Sequence, residues 1–461
     1  MGESDTQFAA LSYTWGEAKG LVKIYIEGSP FEISPNLHEA LLQLRRASNT
    51  SWLWIDAICI QQSDNDEKTW QVSQMGAIYS EADVVLIWLG LGCDETDRTM
   101  DWVSRVGPRA LSSGTLDLWL QRSNLSVQKR RQDISDYITL RYSSSDERAF
   151  DPNVENHQVP ELFRLVFDLI DEPGLHSDTS HPKDGDADLV TGILNLMRRD
   201  YWHRIWIFQE VSLGKETMML CGGKAVSLDM FEATMIGVQY CASLGARFLH
   251  PEPTFARSLP FNFYDSIALE TRRRFRRPAH GYMGLANIVY QRRIAPGRPH
   301  YSATDPRDIL FGLLGIVPDN ERKAVKVDYT LNMGQVFTVL TKAVIFRGDR
   351  DTEIYRIESC IPRDGAKQDN SLPSWAPDWR EMGRRGVGVY SVNHDFSFEA
   401  STGIPMPVPP LCCKKDTPLE LLRCYGCRVD TITEVMEPPQ WVDTGRECSW
   451  ADDNALWFTS R

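Results

Sequence analysis

Apolar residues come in short unbroken runs near the start of the chain, and stretches with helical spacing separate them. Phe8–Tyr13 (FAALSY) is apolar enough for a buried strand and ends at Thr14-Trp15-Gly16. Val22, Ile24 and Ile26 alternate with Lys23 and Tyr25, and Gly28-Ser29-Pro30 predicts the turn of a hairpin into Phe31–Ile33. Ser34 before Pro35 is an N-cap followed by proline at the first helical position, and Leu37, Leu41 and Leu44 lie on one face of that helix. Trp52–Ile60 (WLWIDAICI) is too continuously apolar for a half-exposed strand and suits the middle of a parallel sheet. After the turn residues Ser63–Asp66 a helix runs to about Ser80, with Val72, Met75, Tyr79 and Ala82 on one stripe. Val84–Trp88 (VVLIW) is another buried strand, closed by Gly90 and Gly92. Strand, helix, strand, helix, strand in this order predicts an α/β fold with a right-handed, mostly parallel sheet.

Farther along, the texture changes. From Cys93 to about Ile170 the pattern is helical and heavily charged, which reads as an insertion over about 93–190 that ends in the polar loop Asp171–Asp188. Asp200 is placed to cap a helix through YWHRIWIFQEV, and a strand is expected at Thr217–Leu220 before Gly222-Gly223. Asp305-Pro306 opens a helix through RDILFGLLG, and Thr330 caps another through Val344. The last hundred residues or so are rich in proline, tryptophan and short strands. The expected organisation is an α/β domain over 1–223 and a mixed α+β region over 224–461.

Composition narrows the class. With 461 residues, 42% of them hydrophobic and 25% charged, the chain has ample material for a core. A net charge of −13 disfavours nucleic-acid binding over the whole surface. Arg272, Arg273, Arg274, Arg276 and Arg277 around Phe275 are a basic island, read as a solvated helix face or as contact for an anionic partner. No apolar run is long enough to span a membrane, and MGESDTQF has neither the basic nor the apolar part of a secretory signal. Gly2 and Thr6 fit the myristoylation pattern, but Glu3, Asp5 and the early strand argue against its use. The ten cysteines are therefore expected as reduced thiols in a cytoplasmic protein. Cys424 and Cys427 with Cys412 and Cys413 could form a zinc site by count, but the adjacent Cys412-Cys413 pair lacks C-x2-C spacing and Leu422, Cys424, Val429 and Ile432 fit short strands; Cys59 between Ile58 and Ile60 reads as core, so no metal and no thiol nucleophile is expected.

Three segments together carry a family resemblance. ALSYTWG (Ala10–Gly16), WLWIDAICIQQ with the EK..QV..M..IY..A..V..WLG that follows it (Trp52–Gly90), and YWHRIWIFQEV (Tyr201–Val211) resemble the fungal heterokaryon-incompatibility (HET) domain. ATDPRDILFGLLG (Ala303–Gly315) and LPSWAPDW (Leu372–Trp379) are similar to stretches common in such proteins. The resemblance implies an effector of the cell death that follows fusion of incompatible fungal cells, acting with protein partners or by self-association. The strand order and the tryptophan-glutamate helix also resemble the TIR domain, several members of which cleave the glycosidic bond of NAD. TIR enzymes place their catalytic glutamate four residues after a tryptophan, as Glu210 follows Trp206 here. This chain departs from that pattern in having Ile207 for the cysteine, the hairpin Val22–Ile33, and the large insertion.

Two substrates, NAD and NADP, stay open under that resemblance, and no bound cofactor is implied. Glu210 follows Ile205, Trp206, Ile207 and Phe208, where an unpaired carboxylate is costly and where glycosidase acids are found. One helical turn separates it from Trp206, so carboxylate and aromatic wall would share a cavity. A carboxylate near the ribose stabilises the ribosyl cation that forms as nicotinamide leaves. Thr14, Trp15 and Gly16 after the first strand and Asp56 at the end of the second would hold the nucleotide, Gly16 by close backbone approach and Asp56 through a ribose hydroxyl. The plainer alternative is that Glu210 pairs with Arg204 or a backbone donor and fixes the helix.

Overall fold

Most of the apolar runs do become strands: β1 (Phe8–Tyr13), β2 (Val22–Ile26), β3 (Ser29–Ile33), β4 (Trp52–Trp54), β5 (Val84–Trp88), β6 (Glu216–Cys221) and β7 (Lys224–Ser227). The computed structural model describes residues 7–16, 20–47, 51–116, 165, 168, 169, 189–248, 272, 303–317, 322, 323, 325–345, 371–373, 376, 378 and 379. All of these belong to one unit, Met1–Leu421. Five strands form one sheet in the order β4-β1-β5-β6-β7. β1 is parallel to β4 on one side and to β5 on the other, β5 is parallel to β6, and β7 returns antiparallel. The chain thus starts in the middle, steps out to β4 and crosses back to β5. In open α/β sheets such a reversal opens a crevice beyond the carboxyl ends of the strands.

Strand alternation divides the core in two. Ala10, Val85 and Ile87 face one cluster, while Ala9, Leu11, Leu86 and Trp88 face the other. Both faces are covered, as continuous apolar runs require. The second cluster is closed by the β2–β3 hairpin and by α1 (Pro35–Arg46), which buries Leu37, Ala40 and Leu44. Ser34 caps α1 through its side chain at Leu37 N, 3.3 Å away. The first cluster is covered by α3 (Asn65–Glu81), capped by Asp64 and burying Val72, Met75 and Tyr79. It is also covered by α4 (Asp94–Ser112), α5 (Leu189–Met197), α6 (Ile207–Leu213) and the start of α7 (Leu228–Phe248). Later pieces join the same cluster: the one-turn α8 (Asp308–Phe311), the 3-10 turn Leu314–Ile316 and α9 (Met333–Ile345).

Several expectations change. The run Trp52–Ile60 is not a single central strand: β4 stops at Trp54, lies at the sheet edge, and gives way to the one-turn helix α2 (Asp56–Cys59). Trp52 is accordingly 74% exposed and Cys59 is exposed rather than core. The hairpin turn falls at Glu27-Gly28, both with positive φ, so Ser29 and Pro30 pair within β3. The segment after Cys93 begins with a core helix, since α4 buries Met100, Trp102, Val103 and Ala110. Gly222-Gly223 form the β6–β7 turn, so the sheet continues past residue 223. The loop 171–188 and the cysteines at 412, 413, 424 and 427 lie outside the described residues.

Candidate functional site

The segment Tyr201–Val211 does not fold as one helix. Asp200–His203 is a 3-10 turn, Arg204 is extended, and α6 starts only at Ile207. This break determines what Glu210 meets. On a continuous helix, residues six apart lie about 240° around the axis from each other and cannot pair. With the break, Arg204 turns back onto Glu210, donating from Nη1 to Oε2 at 2.9 Å and from Nη2 to Oε1 at 3.2 Å. Of the two sequence alternatives, the Arg204 partner is therefore present.

Glu210 is 1% exposed, and its carboxylate meets β1 at Ser12, the last residue but one of the strand. Ser12 donates to its Oε2 at 2.5 Å, and Ser12 and the Tyr201 hydroxyl share a 2.7 Å hydrogen bond. Tyr79 reaches in from α3 and donates to the carbonyl of Leu11 at 3.3 Å. A second carboxylate lies close by. Asp56, buried at the start of α2, accepts from the Trp15 indole at 2.7 Å and from its neighbour Ala57 N at 2.7 Å. Trp15 therefore ties the loop after β1 to the segment after β4, which brings two of the sequence candidates into contact. Thr14 takes part through its carbonyl, which accepts from Asn36; Asn36 in turn accepts from the Trp88 indole at the end of β5. Gly16 has φ +76 with open space where a side chain would be, so the loop turns there and leaves its backbone accessible.

Charge at this site is strongly coupled. Burial raises the Asp56 carboxyl to about 6, Arg204 opposing and Glu210 reinforcing the shift. For Arg204 burial acts downward, but Glu210 and then Asp56 hold the guanidinium above its ordinary value. Burial also pushes the phenols of Tyr13, Tyr79 and Tyr201 upward, with Asp56 first among the other causes at Tyr13 and Glu210 at Tyr79 and Tyr201. One guanidinium, two carboxylates and three neutral phenols thus converge where the sheet reverses direction. A gathering of perturbed ionisable groups in such a place makes this the candidate functional site.

Trp206 is engaged elsewhere. Its indole N–H donates to Asp308 at 3.3 Å, and Asp308 also accepts from the Tyr329 hydroxyl at 2.6 Å. Arg307 beside it binds both oxygens of Asp305 and the carbonyls of Tyr329 and Leu331. The D-P-R-D motif is therefore a clamp that ties Asp305–Asp308 and Tyr329–Leu331 to the start of α6. Arg272 is buried and pairs with Asp229 at 2.5 Å and Glu232 at 2.9 Å, so it is not part of a solvated face; residues 273–277 lie outside the described residues. Among the described residues no three metal-binding side chains converge, and no helix is long and apolar enough to cross a membrane.

Sequence reasoning placed Glu210, Asp56 and Trp15 at one end of the sheet and missed Ser12, Tyr13, Tyr79 and Tyr201. Ser12 and Tyr13 stand inside ALSYTWG, and a buried strand with two adjacent hydroxyls before its last turn was the available signal. The heterokaryon incompatibility protein (HET) family model matches residues 8–210, from the first residue of β1 to Glu210 itself. Heterokaryon incompatibility protein 6, OR allele, of Neurospora crassa is 27% identical over 462 residues, covering 93% of this chain. The chain spans 60% of that relative's length. No solved structure matches it. The motif segments, the fold that brings their side chains together and these two similarities agree: residues 8–210 match the HET domain, and the chain is distantly homologous to a heterokaryon incompatibility protein.

Proposed function

We propose that this chain is a cytoplasmic effector of fungal programmed cell death that cleaves the bond between nicotinamide and ribose in NAD or NADP at a TIR-like site. One observation carries the reading: Glu210, four residues after Trp206, is held by Ser12 and Arg204 at the carboxyl end of β1, beside Asp56. The parallel strands, numbered in chain order, lie second-first-third-fourth, which is the flavodoxin-like arrangement and supports the TIR-like assignment.

In this reaction water adds to the anomeric carbon as the nicotinamide nitrogen leaves with the bonding electrons. The negative charge of Glu210 stabilises the ribosyl cation, and Arg204 and Ser12 fix where that charge lies. Asp56 accepts a ribose hydroxyl, and the Thr14-Trp15-Gly16 loop, with Trp15 41% exposed, supplies the face on which the nucleotide rests. Trp206 acts from behind, through the Asp308 clamp, by fixing the start of α6. The unit that does this is the α/β region 1–223, with the segments beyond it as support. Depletion of the dinucleotide then explains cell death.

A second reading has its own support. Glu210 is almost fully buried and both its oxygens are already bonded, as befits a structural carboxylate in a signalling module that assembles or recruits partners. The full-length chain carrying Glu210→Gln, expressed in a fungal host, separates the two. Loss of toxicity at unchanged protein level and unchanged self-association supports the enzyme; retained toxicity rejects it.

A further inference from the structure

The outer side of α3 carries residues that a helix covering a sheet does not need. Val72, Met75 and Tyr79 face the core, yet Trp70, Ser73, Gln74 and Ala77 form a second stripe at helical spacing on the opposite side. Trp70 is 61% exposed. An exposed indole leaves a large apolar face open to a ligand at this bank of the helix.

Across from this stripe lie Phe311, Leu314 and Gly315 and, farther along the chain, Val325–Val327, and between the two banks lies a groove of about 620 Å³. Small-molecule pockets fall in the same range, about 300–1,000 Å³. Leu314, Val325 and Val327 line the far bank. At the floor α3 and the 3-10 turn touch glycine to glycine, because a side chain at Gly76 would meet the Gly315 backbone at 3.1 Å. Lys326 stands on the rim with Arg322 near it, and Asp66 is the one carboxylate among the described lining residues. An apolar trough with an aromatic bank and a basic rim fits one ligand chemistry: a small flat or aliphatic body bearing one anionic group.

We propose that this groove is a binding site for a small amphiphilic anion, separate from the carboxylate cluster at the carboxyl end of β1. Trp70, Leu314 and Val327 cover the apolar body, and Lys326 meets the anionic head. Gln209, the neighbour of Glu210, forms part of the floor, so the two sites share α6 as a wall.

The test uses the purified full-length chain and 8-anilinonaphthalene-1-sulfonate as the probe, titrated by fluorescence. Saturable binding at one site is expected. Ala77→Trp, at an exposed position in the groove, should abolish it, and Lys326→Glu should weaken it about three- to tenfold. N-phenyl-1-naphthylamine, the same body without the sulfonate, should bind more weakly than the sulfonate and be indifferent to Lys326→Glu. Circular dichroism shows whether both variants keep the fold. Absence of saturable binding overturns the proposal, as does unchanged affinity in folded Ala77→Trp, or neutral and anionic probes bound alike.

Discussion

At the scale of single residues, the site rests on Arg204. It is the only cation directly bonded to Glu210 among the described residues, and its field also reaches Asp56. Arg204→Met leaves a buried carboxylate with Ser12 alone, and such losses cost about 3–5 kcal/mol. Urea unfolding should show that loss, and adding Glu210→Gln should restore most of it. A second residue-level prediction follows from Asp56, whose carboxyl is raised to about 6 by burial. A raised carboxyl favours folding while protonated, so its contribution is full below the unfolded value near 4 and is lost as pH rises through about 6. Asp308 is raised to about 6 by burial as well and adds to the same slope. Asp56→Asn mimics the protonated form. The variant should match the parent chain near pH 4 and exceed it in stability above pH 7; a parent chain more stable at pH 7 than the variant by the same margin as at pH 4 would contradict this.

At the scale of elements, the packing around α6 leaves little room. Gln209 donates to the Phe311 carbonyl at 2.9 Å, and its side chain occupies the space a β-carbon at Gly315 would need, within 2.2 Å of it. Gly315→Ala should therefore destabilise the chain by about 1–3 kcal/mol, an overpacking cost measurable by thermal or urea unfolding. The same elements show what the sequence makes legible. Uninterrupted apolar runs such as Val84–Trp88 and caps such as Ser34 are local signals, and they hold. Trp52–Ile60 and Tyr201–Val211 were misread because their breaks are set by distant partners: Asp56 by Trp15, Arg204 by Glu210. Glu210 stood out because a carboxylate among Ile207, Phe208 and Val211 conflicts with its surroundings. Ser12, Tyr79 and Tyr201 are ordinary core residues by pattern, and only the fold brings their hydroxyls to one place.

At the scale of the whole molecule, one core crosses the expected boundary at residue 223. β7 pairs with β6, and α8, the 3-10 turn and α9 contribute Phe311, Leu314 and Phe337 to the cluster that α3 and α6 share. A chain cut at 223 loses the Gln209–Phe311 bond and uncovers Phe208 and Val211. It should unfold with lower cooperativity and a lower midpoint than the full-length chain, whereas an equal midpoint would make 1–223 self-sufficient. The central claim concerns chemistry and calls for a direct measurement: nicotinamide released from NAD or NADP by the purified full-length protein at high concentration, with folded Glu210→Gln beside it. The account predicts release by the parent chain that disappears in the variant. Release at the same rate in both, or none from a folded and assembled parent chain, would contradict it.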